Sequence, residues 1–176
     1  MKSLSDRAEA VFRQARQQIG EDCARLHADN AAKGNLGSGA TARQAVRIFG
    51  SRSGEALQQV LSEVALRIEH RGREWREAMA TVSQALSTQI AAAPDLMAKS
   101  FQLARLNGES AKAAAAALIE TEAEDLREKL AAFEEGWTAP VPKKWSERRP
   151  LLYALLLLLA GAAISSIFWA VGLKSN

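Results

Sequence analysis

Between Leu151 and Leu173 lie 23 consecutive residues whose only ionisable side chain is Tyr153. In a helix rising about 1.5 Å per residue, that run reaches across the roughly 30 Å hydrocarbon core of a bilayer. It is too long and too uniformly apolar for a buried core helix. Its flanks match a span: Trp145 and Trp169 sit near the ends, where indole rings favour the headgroup region, and Pro150 suits a first helical turn. Lys143, Lys144, Arg148 and Arg149 precede the run, and Lys174 alone follows it. The positive-inside bias then keeps the N-terminal part in the cytoplasm and puts Asn176 outside. Residues 1–20 contain no apolar core of a signal peptide.

These features describe a tail-anchored, single-pass protein inserted after synthesis. The expected organisation is a cytoplasmic helical domain over 1–136, a Pro-containing basic linker over 137–149, a transmembrane helix over 150–173 and a short external tail over 174–176. The first partner is the lipid bilayer itself, with Lys143, Lys144, Arg148 and Arg149 against anionic headgroups. Within the span, Gly161 and Ser165, and beside them Ala162 and Ser166, repeat small residues every four positions. Such a face lets two membrane helices approach closely. Abundant alanine and an excess of Arg over Lys point to a bacterial source, and hence to the inner membrane.

The net charge of +3 is distributed unevenly. Residues 1–136 carry 18 Lys/Arg against 19 Asp/Glu, a net of −1, so the positive excess flanks the predicted span. A nucleic-acid tether built on Arg43, Arg47 and Arg52 would need a basic domain, and this balance argues against it. Residues 1–76 hold 13 basic and 9 acidic side chains, and residues 77–136 hold 5 and 10. Opposite signs on successive helices favour their pairing, weakly for exposed groups. The single cysteine, Cys23, excludes an intrachain disulfide and suits a reducing compartment.

Before the span no stretch alternates with period two, and Ala, Glu, Gln, Arg and Leu favour helix throughout. The fold class is therefore all-α: an elongated antiparallel bundle, coiled-coil-like, of three or four helices. A first helix from about Ser5 to Ala32 places Leu4, Ala8, Val11, Phe12, Ala15, Ile19, Cys23 and Leu26 on one face. Gly34–Gly39 ends it, and Thr41-Ala-Arg-Gln44 reads as a capping box opening the second. Gly50-Ser-Arg-Ser-Gly54 is expected to break that helix. A long helix from Glu55 to about Ala91 follows, with an apolar stripe through Leu57, Leu61, Val64, Ile68, Gly72, Trp75, Met79, Val82, Leu86 and Ile90. Its eleven-residue repeats give 3.67 residues per turn and nearly straight packing. The stripe requires partners: the first and last helices, or a second copy of the chain. A short helix over Asp95–Leu106 and a final one from Glu109 to about Glu135 complete the domain. Glu122 interrupts the apolar face of the last.

Three constellations could carry chemistry. Cys23 and His27 share a helical face, but a zinc site needs three or four ligands and no further His–Cys partner exists. Gly34–Thr41 has the glycine density of a phosphate loop yet lacks the Walker lysine and a preceding strand, so it reads as a turn. Around Gly72, arginines and glutamates alternate beside Trp75, with His70 next to them. A glycine in a buried helical stripe invites close approach of another backbone. Val64, Ile68, Gly72, Trp75 and Met79 are accordingly the expected contact with a partner helix. Glu120, Glu122, Glu124 and Asp125 read as a solvated face.

No enzyme activity, cofactor or metal is implied. The sequence points to a protein-interaction or scaffolding module, tethering a helical protein partner or a second copy of itself at the membrane. An alternative is a holin- or toxin-like protein acting through oligomerisation of its span. A membrane tether in a DNA-transfer or secretion machine is also compatible.

Overall fold

A computed structural model of the chain describes residues 3–106 and 108–138. Two compact units divide between Ala139 and Pro140, and the described residues belong to the first. The linker residues 139–149, the predicted span and the tail lie outside them. No helix among the described residues is long and apolar enough to cross a membrane.

The first unit is an all-helical bundle: α1 (Leu4–Ala32), α2 (Gly39–Arg67), α3 (Arg73–Ala91), α4 (Ala93–Leu103) and α5 (Glu109–Gly136). α1 opens with a reciprocal cap, in which the Ser3 hydroxyl accepts from the Asp6 amide and the Asp6 carboxylate accepts from the Ser3 amide, both at 3.1 Å. It closes at Gly34, whose φ of 70° is the left-handed conformation that glycine adopts without strain.

α2 starts earlier than the sequence suggests and does not use Thr41 as a cap. Thr41 lies inside the first turn, fully buried, where its hydroxyl accepts from Asn30 Nδ2 at 3.0 Å and donates to the Asn35 carbonyl at 3.2 Å. It ties the end of α1 to the start of α2. The expected break at Gly50–Gly54 is absent, because α2 runs through both glycines. Each costs about 1 kcal/mol of helix propensity relative to alanine. Burial of Ala45, Val46, Phe49, Ala56, Leu57 and Val60 along one face outweighs that, at roughly 1.5–3 kcal/mol for each large side chain.

The long helix of the sequence reading is instead two helices. α2 stops at Arg67, Ile68 turns extended (φ −100°, ψ 121°), and Gly72 is the N-cap of α3. The stripe is still buried. Leu57, Leu61, Val64, Ile68, Trp75, Met79, Val82 and Leu86 are all in the core, and Gly72 and Ile90 are partly covered. Breaking the helix lets its second half fold back beside α1 instead of extending past it. α3 and α4 abut at Ala92 and Pro94 occupies the first turn of α4, where its missing N–H costs nothing.

Side-chain bonds set the directions. Arg7 meets Glu63 and Asn30 meets Thr41, so α1 and α2 are antiparallel. Arg16 meets Gln89 and His27 meets Ser100, so α3 and α4 run together alongside α1 in its direction. Gly50 lies against Glu122 and Gly54 against Leu126, so α5 runs parallel to α2. The chain thus goes up, down, up through α3–α4, and down. α2 is the hub that packs against every other helix, while α1 and α5 share no contact among the described residues.

A buried polar chain crosses the core. Arg16 donates to Gln89 Oε1 at 3.0 Å, and Gln89 Nε2 donates to Ser53 Oγ at 2.9 Å, with Gln89 and Ser53 fully buried. These bonds join α1, α3 and α2 in one register, since any slip would strand a buried amide.

Candidate functional site

The parallel pair α2–α5 frames a groove of about 780 Å³. The α2 wall carries Arg47, Gly50, Ser51, Gly54, Gln58, Leu61 and Ser62, and the α5 wall carries Glu122, Asp125, Lys129 and Phe133. Each set recurs at helical spacing of three or four, so the walls are two stripes side by side. The α2 stripe, from 47 to 62, runs for about 24 Å.

Glu122 is the feature that distinguishes this groove. It stands where α5 presents Ala115, Ile119, Ala123, Leu126 and Leu130 to the core, and it is half-buried. Its carboxylate lies over Gly50: a Cβ there would sit 1.9 Å from Oε2 and 2.7 Å from Cδ. Gly50 therefore makes room for Glu122. Among the described residues Glu122 makes no hydrogen bond or ion pair, whereas its neighbours are paired, Asp125 with Lys129 at 2.5 Å and Glu55 with Arg52 at 2.8 Å. Burial pushes the Glu122 carboxyl above the ordinary glutamate range, with Asp125 adding to the rise and Lys129 and Arg47 opposing it.

A second assembly closes the end of α5. The Trp75 ring stacks on Trp137 at 4.2 Å between centroids and on Phe133 at 5.9 Å. The Arg71 guanidinium lies 5.9 Å over Trp75 and donates to the carbonyls of Glu134, Glu135 (3.0 Å) and Trp137 (2.9 Å). These are carbonyls that an α-helix leaves unpaired at its C-terminus. The α2–α3 turn thus holds the point where the chain leaves the bundle.

Cys23 and His27 do share a face, as their spacing predicts, and both are buried. Ser100 of α4 completes the cluster: its hydroxyl lies 2.9 Å from His27 Nε2 and hydrogen-bonds the Cys23 thiol. Burial pushes the Cys23 thiol up, and burial with nearby Lys99 pushes the His27 imidazole down. His27 Nδ1 is buried without a partner. Among the described residues no three His, Cys, Asp or Glu side chains converge as metal ligands.

Of the residues expected to meet a partner helix, Val64, Ile68, Trp75 and Met79 are 0–7% exposed, and their contacts are with this chain's own helices. Gly72 is not a mid-helix contact but the extended residue that starts α3. The stripe's partners are therefore α1 and α5, the first of the two sources the sequence allows. The reading of Glu122 as a solvated acid is corrected: α5 turns it toward Gly50, while Glu120, Glu124 and Asp125 are exposed. Arg52 is tied to Asp22 at 2.8 Å as well as to Glu55. The glycine loop 34–39 packs near Arg105, a non-glycine residue at φ 58° just after α4. Lys143, Lys144, Arg148, Arg149, Gly161, Ala162, Ser165 and Ser166 lie outside the described residues. Ser53, Gln89 and Ser100 gave no signal in the sequence, because short polar side chains at apolar-stripe positions look the same whether buried or exposed.

No family model, curated protein or solved structure matches the chain.

Proposed function

We propose that this chain is a tail-anchored membrane protein whose cytoplasmic helical unit is a protein-interaction or scaffolding module, holding a partner or a second copy of itself at the bacterial inner membrane. The uncharged run Leu151–Leu173, with its basic N-terminal flank, carries the membrane half of this reading. The interaction half rests on the α2–α5 groove, a long concavity whose one unpaired carboxylate is left for something outside the bundle.

Expression of the full chain in a bacterial host, followed by alkaline extraction and protease protection, tests the tether. The expected result is a pellet-bound protein whose residues 1–138 are digested only from the cytoplasmic side. Recovery in the alkali-soluble fraction overturns it. Replacing residues 150–173 with an unrelated single span separates the alternative: a scaffold keeps its activity, whereas a membrane-active protein loses it.

A further inference from the structure

We propose that the α2–α5 groove receives an amphipathic helix of a partner protein that presents a lysine or arginine to Glu122. This rests on the interaction-module reading and states what the module binds. Three observations support it. The groove is walled by two helical stripes over about four turns of α2, the dimensions of a helix laid between helices rather than of a compact ligand. Its charge is unbalanced in one sense: Asp125 and Glu55 are matched inside the bundle, and Glu122 is the acid left without a hydrogen bond or ion pair among the described residues. Arg47 and Lys129 act on Glu122 through their fields, and neither bonds to it.

The third observation is Gly54. A Cβ there would stand 3.8 Å from Leu126 Cδ2 and from Lys129 Nζ, which is ordinary contact. Nothing within the chain requires a glycine at this position, although glycine weakens the middle of a helix. One turn earlier, Gly50 is occupied by the Glu122 side chain. The pair leaves the α2 wall low at the point where the unpaired carboxylate sits. A polar group at a helix seam is a device for selecting one partner over others, since an apolar or acidic helix would leave Glu122 buried without a counter-charge.

The test is a display library of helical peptides, randomised on one face, panned against the full chain held in lipid nanodiscs. Enriched peptides are expected to carry Lys or Arg flanked by apolar residues three or four positions away. Their affinity should fall at least tenfold against Glu122→Lys and against Ser51→Trp, which fills the groove from an exposed position. Exchanging the peptide's basic residue for Glu should restore binding to the Glu122→Lys chain. Circular dichroism establishes the fold of both variants, and Ser51→Trp decides alone if Glu122→Lys does not fold. Absence of enrichment, or binders shifted less than twofold by the variants, overturns the proposal. So does equal, Glu122-dependent binding of free butylamine without helix enrichment, which would make the occupant a small organic cation. Peptides that bind another face refute the groove while leaving the tether, which the extraction experiment tests separately.

Discussion

Replacing Gly50 by alanine should stabilise the bundle, although the added carbon collides with a neighbour. The new Cβ would meet Glu122 at 1.9 Å from Oε2, 2.7 Å from Cδ and 3.2 Å from Cγ. All three atoms belong to the mobile end of a side chain whose carboxylate has no hydrogen bond or ion pair among the described residues, so Glu122 can swing to solvent. Gly→Ala in a helix interior contributes about 1 kcal/mol. Exposing roughly half of one methylene of Glu122 costs about 0.4 kcal/mol, which leaves a net gain of about 0.5 kcal/mol. Releasing the desolvated charge adds to it at neutral pH. The full chain in micelles, unfolded by urea and followed by tryptophan fluorescence, should show a higher midpoint at unchanged slope. The gain should also depend on pH. A carboxyl whose folded value is raised contributes stability that is complete below the unfolded value near 4.5 and is lost as pH rises through the folded value. The parent suffers this loss and Gly50→Ala does not, so the difference between them should widen from pH 4 to pH 7. Destabilisation by more than about 1 kcal/mol, or a difference that shrinks as pH rises, would refute the reasoning, because Glu122 would then be held by favourable contacts over Gly50.

Other perturbations probe the remaining assemblies. Ser53→Ala removes the acceptor of Gln89 Nε2 in a fully buried site, and thermal unfolding should report a loss of about 1–3 kcal/mol; Ser53→Ala with Gln89→Leu should recover part of it. Arg71→Ala strips the carbonyls at the end of α5, so amide exchange in residues 133–137 should accelerate at least tenfold, whereas unchanged exchange would mean that the Trp75–Trp137 stack suffices. His27 is held below its ordinary value of 6.5 by burial and by Lys99. Its contribution to stability is therefore full above 6.5 and lost as pH falls through the depressed folded value; a His27→Gln chain whose urea midpoint falls as steeply as the parent's between pH 7 and pH 5 would contradict this.

Periodicity made the helical class and most of the buried positions legible. The α1 face from Leu4 to Leu26 and the stripe from Leu57 to Leu86 are buried or nearly so, because an apolar repeat at helical spacing has to be covered whatever covers it. The breaks were not legible. Gly50 and Gly54 look like helix ends but lie inside α2, where a continuous buried face outweighs two unfavourable propensities. Gly72 looks like a contact inside one helix but begins another, because folding back at residues 68–72 covers the second half of the stripe against α1. Both errors share a cause: a glycine signals local backbone freedom, and only the neighbours decide whether the chain uses it.

The candidate groove illustrates the same division. The sequence alone determined that α5 has an apolar face and that Glu122 interrupts it, since both follow from residue type and a period of 3.6. It also determined the apolar run at residues 151–173, which depends on length and composition and on no contact. Only the tertiary structure decided that Glu122 meets Gly50, residues separated by 72 positions, and that α5 runs parallel to α2. A charge interrupting a stripe is a solvated residue or a poised one according to what the opposite wall supplies, and that wall exists only once the helices have packed.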